Sequence, residues 1–117
     1  MKELIRREFS FLFEDYNFQI VEEEYEGLIV RISNSQLDIE LTVDRSDFHS
    51  CIKAHNGNSE YEELCSVLTQ MKNKGLISEV YNPSNKINFV KKVLRSHIVD
   101  LQKHLVINKN AIIDERN

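Results

Sequence analysis

An α+β domain is predicted for this 117-residue chain: an N-terminal helix, an antiparallel meander of four strands (five if a later segment joins), and two C-terminal helices packed on one sheet face. Three observations carry the prediction. Residues 2–14 show apolar spacing of helical period. Leu37–Val43 alternates aliphatic with polar residues without a break. Two later segments, 59–75 and 84–107, return to helical period and are separated by Asn82-Pro83-Ser84.

The first helix rests on Leu4, Ile5, Phe9, Leu12 and Phe13, with Phe11 widening the stripe, and Asn17 is suited to a left-handed stop. Phe18–Tyr25 reads as the first strand, and Glu26-Gly27 as a tight turn in which glycine accepts positive φ. Leu28–Ser33 follows, with Leu28, Val30 and Ile32 on one face. In Leu37–Val43, Leu37, Ile39, Leu41 and Val43 point one way, and Asp38, Glu40 and Thr42 the other. The fourth run sets Phe48, Ser50, Ile52 and Ala54 against His49, Cys51, Lys53 and His55. Loops this short join antiparallel strands, giving a sheet with one dry and one wet face.

Ser59 and Glu62 form a capping-box pair that predicts a helix start at Ser59, with Tyr61, Leu64, Cys65, Leu68 and Met71 inward and Gly75 as the stop. Leu76–Tyr81 is the candidate fifth strand. Ser84 is positioned to cap a long helix to about Ile107, with stripe Ile87, Val90, Leu94, Ile98, Leu101 and Leu105, widened by Phe89 and Val93. The whole of 1–117 reads as one domain, with 108–117 a tail that extends the helix or packs back.

Composition narrows the function classes. Charges in Met1–Arg7 interrupt what a signal peptide would keep apolar, and no apolar run nears a membrane span. A cytoplasmic chain with reduced Cys51 and Cys65 and no membrane partner is therefore expected. Three scattered glycines make no phosphate-cradling loop, and no nucleophile elbow exists. His49, Cys51 and His55 share a face but match no ligand spacing, so neither metal nor cofactor is expected, and no enzymatic activity.

Charge is the distinctive property. Residues 1–63 hold fifteen acids against six bases, a balance of −9, while residues 64–117 hold four against nine, +5. Within 8–47, eleven acids face only Arg31 and Arg45. Lys86, Lys91, Lys92, Arg95 and Lys103 spread around the last helix, but a pI of 5.6 and the acidic patch argue against nucleic acid. Acids mixed with tyrosine suit a docking surface for a basic protein, and the candidate contact residues are Glu22, Glu23, Glu24, Tyr25, Asp38 and Glu40. Asp38 and Glu40 are expected to look outward into water. A homodimer through the last helix, using Phe89 and Val93, is the alternative.

The stretch Phe9-Ser10-Phe11-Leu12-Phe13-Glu14-Asp15-Tyr16-Asn17-Phe18, an aromatic helix end running into a strand, resembles the start of small bacterial proteins. The order of elements is similar to that of small α+β immunity proteins of polymorphic toxin and contact-dependent inhibition systems. That resemblance implies direct binding to a cognate, often basic, toxin domain. It carries over no individual binding residue.

Overall fold

The computed structural model describes residues 2–57 and 60–116, with side-chain surroundings to Val106. The amphipathic N-terminal segment forms two short helices, α1 (Lys2–Glu8) and α2 (Ser10–Asp15). The break falls at Phe9, with φ −112° and ψ 28°. An unbroken helix would set Phe9 and Phe11 about 200° apart. The break accompanies burial of both rings, whose centroids lie 6.4 Å apart. Asn17 then takes the left-handed conformation at φ 61°, and the Phe18 N–H donates to the Leu12 carbonyl at 3.1 Å.

The sheet is an antiparallel meander in the order β1 (Gln19–Glu24), β2 (Ile29–Ser33), β3 (Leu37–Asp44), β4 (Asp47–Ala54) and β5 (Glu62–Glu63). Its register pairs Val30 with Leu41, Ile32 with Ile39, and Ile39 with Ile52, so one face is mostly aliphatic. The helices cover that face. Phe9 stacks on Phe48 with centroids 5.9 Å apart, and the core joins Ile5 and Leu12 to Leu68 and Met71 of α3 (Leu64–Asn73) and to Val93, Leu94 and Ile98 of α4 (Ile87–Arg116).

The fifth strand is not Leu76–Tyr81, which is irregular; Glu62–Glu63 takes that place, pairing with Ile52 and Cys51. Further along the same edge the Phe48 N–H is taken by the Asn85 carbonyl at 2.8 Å. Ser59 lies outside the described residues, and Glu62, spent on the strand, is no cap: the helix begins at Leu64 with no side-chain cap bond. Its end follows the expectation. Gly75, at φ 75°, donates to the Lys72 carbonyl while Leu76 donates to that of Met71, a Schellman closure. The last helix starts at Ile87, three residues after Ser84, and continues as helix through 108–116. Leu28 leaves the core face and is exposed in the turn before β2.

No described helix is long and apolar enough to cross a membrane. Phe89 and Val93 are absorbed by the domain itself: Val93 is fully buried, and Phe89 meets the Tyr81 ring edge-on at 6.0 Å. His97, also buried, meets the Tyr81 hydroxyl with its Nε2 at 2.6 Å, which fastens the irregular segment to α4.

Candidate functional site

The face of the sheet away from the helices collects the acids, and register decides which of them. A bulge between Ile20 and Glu22 leaves Val21 as an extra residue in β1. Beyond it Glu22 pairs with Arg31, Glu23 with Val30 and Glu24 with Ile29. Glu22 and Glu24 therefore join Arg31, Asp38 and Glu40 on the outer face, while Glu23 turns to the helix side and meets Lys2 Nζ at 2.9 Å.

Arg31 organises this face. Its Nε donates to Glu40 at 2.9 Å, its Nη1 reaches Glu22 at 2.9 Å and Glu24 at 3.1 Å, and its Nη2 donates to Glu24 at 3.2 Å. The planar fork thus meets Glu24 with both terminal nitrogens and still serves two further carboxylates. Hydrogen bonding from Arg31 holds the Glu24 carboxyl below its usual range, and the Glu24 bond in turn raises the guanidinium pKa.

Asp38 corrects the expectation of an outward-looking acid: it is only 8% exposed. Ser33 Oγ donates to its Oδ1 at 2.6 Å, His55 Nδ1 lies 2.7 Å from the same oxygen, and Lys53 Nζ lies 3.7 Å from Oδ2. Glu40, half-buried, is likewise committed to Arg31. The physical reason is cross-strand pairing: register sets Arg31 beside Glu40 and Lys53 beside Asp38, and opposite charges in such positions attract. Tyr61, in the link from β4 to β5, lies near this patch, with Lys53 Nζ 5.3 Å from its ring centroid.

Tyr61 offers a direct check of that cover. Burial first, then the Asp38 and Glu40 carboxylates, push its phenol up to about 12 from an ordinary 10. The folded state holds this proton more tightly than the unfolded chain. Its contribution to stability is full below pH 10 and is lost as pH rises through about 12. An absorbance titration is expected to show a late tyrosinate step that Tyr61→Phe removes; a variant that instead loses amplitude from the ordinary step near pH 10 would place Tyr61 in water.

The end of the sheet differs from its flat face. Tyr25, Glu26 and Gly27 form one 3₁₀ turn in which all three have positive φ, 52°, 55° and 89°. Tyr25 is 71% exposed there, beside exposed Leu28. The Val43 N–H donates to the Leu28 carbonyl at 2.9 Å, which sets this turn against the β3–β4 turn with Asp44 and Asp47. Glu26 and Asp44 are exposed and make no ion pair among the described residues. Sequence reasoning named Tyr25 but not Glu26 or Leu28 as its neighbours. No periodic signal marks Leu28, which shares strand parity with Val30 and Ile32 and so reads as core.

Among the described residues no cluster of three or more His, Cys, Asp and Glu side chains could hold a metal ion. His55 sits on Asp38, away from exposed His49. Both thiols are raised, Cys51 by burial first and then by the Glu40 and Glu63 carboxylates, Cys65 by burial and then Glu63, which moves them away from the reactive thiolate. Comparison with protein-family models, curated proteins and solved structures found no match for this chain.

Proposed function

We propose that this chain is a non-enzymatic protein-binding domain that docks a basic protein on the sheet end around Tyr25, Glu26, Leu28 and Asp44. The observation that carries the reading is the turn itself. Two consecutive residues with side chains, Tyr25 and Glu26, occupy the left-handed region, at about 1–2 kcal/mol each. The result is a large aromatic ring in water rather than in the core. Strain that serves no packing is best understood as presentation of a contact.

Exposed Val21 continues the patch along the β1 edge, so an aromatic and aliphatic centre is bordered by the acids Glu26 and Asp44. Carboxylates without an internal counter-ion would steer a basic partner, and the aromatic anchor would slow its release. The sharpest form of this proposal is an immunity protein that blocks a basic toxin domain, as the similarity in the order of elements implies. Asp38 and Glu40 leave the contact set in this version, because their charge is already answered within the sheet.

The experiment is affinity capture from the source organism, followed by binding kinetics with the protein recovered. Tyr25→Ala is expected to weaken the complex about ten-fold, mainly through faster dissociation. Glu26→Lys with Asp44→Lys should slow association, more at low salt than at high. Asp38→Asn should leave binding unchanged. Equal capture by wild type and the Tyr25 and Glu26 variants would remove the proposal.

A further inference from the structure

The core-facing positions of β4 are Phe48, Ser50, Ile52 and Ala54, and Ser50 is the polar exception. It pairs with fully buried Leu41, is 6% exposed, and its Oγ has no hydrogen-bond partner among the described residues. A buried hydroxyl left this way loses its hydration without compensation. Ser50 lies on the wall of a half-open cavity of about 270 Å³, between the β4 edge, the first turn of α3 and the start of α4. The cavity exists because β5 covers only Cys51 and Ile52, while Asn85 closes the edge at Phe48. Phe48, Leu64, Phe89 and Val90 make most of its wall apolar.

We propose that this cavity is a binding site for a small uncharged aromatic molecule bearing one hydroxyl or carbonyl group, which Ser50 Oγ would engage. Size sets the class. A cavity of about 150 Å³ takes benzene, and drug-sized ligands need upwards of about 300 Å³. The volume here suits one ring with a short substituent. Charge sets it further: the lining contains Glu63 and neither lysine nor arginine, and its one histidine, His49, is exposed to water at the rim, so an anion meets repulsion with no buried counter-ion. The site shares no residue with the sheet end proposed for partner docking, and either reading stands without the other.

The test is an NMR titration of the intact chain with benzyl alcohol, toluene and benzoate at millimolar concentrations. Benzyl alcohol is expected to shift the Leu64 and Val90 methyls and the Ser50 amide, and benzoate to bind more weakly. Ser50→Ala removes only the unpartnered hydroxyl, so the fold should persist, which the spectrum itself checks. It should weaken benzyl alcohol about three- to ten-fold while leaving toluene unchanged. Three results would overturn the proposal: no localised shifts, which leaves a cavity for water alone; equal loss or no loss for both neutral probes in Ser50→Ala; or benzoate binding as well as the alcohol.

Discussion

Phe9→Ala is expected to cost about 3–5 kcal/mol, the range for truncating a fully buried phenylalanine. Phe9 occupies the break between α1 and α2, stacks on Phe48 and neighbours Phe11, so it joins the N-terminal helices to the sheet. A domain of this size has roughly 5–15 kcal/mol in total, and the variant would lose a large share of it. Urea unfolding should show a midpoint lower by about 1.5 M or more, for a slope of about 1–2 kcal/mol/M. Phe9→Leu, which keeps most of the volume, should cost less than about 2 kcal/mol. The loss should be the same at low and high salt, because no charge is involved. An Ala variant within about 1 kcal/mol of wild type would show that the aromatic stack is not what anchors these helices.

Much of this architecture was legible because the signals were periodic. Leu37–Val43 alternates over seven residues, and its strand and facing came out as read. The Gly75 stop and the Asn17 turn were legible for a local reason, since positive φ favours those residue types. The errors arose where tertiary pairing outbid local preference. Ser59-x-x-Glu62 is a good cap by composition, but Glu62 is drawn into pairing with the β4 edge, and the helix starts later. Leu76–Tyr81 has strand-like residues, yet by that point the edge is occupied by Glu62–Glu63. Parity assigns Leu28 to the core, and a three-residue left-handed turn takes it out.

The candidate site was half legible. Parity alone put Asp38 and Glu40 on the outer face, and that much holds. Whether they are available there depends on which bases stand beside them, and this is a question of register between strands. Arg31 and Lys53 have the same outward parity, but only the pairing shows each opposite its acid. A net charge counted along the chain could not distinguish eleven solvated acids from a group neutralised around one guanidinium. The exposed end of the sheet was missed for the opposite reason. Nothing in Tyr25-Glu26 announces positive φ, since neither residue favours it.

Arg31→Met is the second large effect, with an expected cost of about 2 kcal/mol. A fully buried ion pair broken on one side costs about 3–5 kcal/mol, and partial exposure of these carboxylates reduces that. Without the guanidinium, Glu22, Glu24 and Glu40 would face one another across β1, β2 and β3 with no common counter-ion. The penalty should therefore depend on conditions as Phe9→Ala does not. It should shrink at high salt, which screens the repulsion. In the wild type the depressed Glu24 carboxyl contributes stability above pH 4.5 that is lost as pH falls through its folded value. The variant lacks that contribution, so the two stability curves should converge in acid. Adding Glu40→Leu should recover part of the loss by turning a directly opposed ion pair into an apolar one. The same variant separates two docking geometries. A basic partner seated on the flat face would meet three unneutralised carboxylates and bind Arg31→Met more tightly at low salt. A partner seated on the Tyr25 end would change little, because the acids bordering that end, Glu26 and Asp44, have no ion pair with Arg31 to lose.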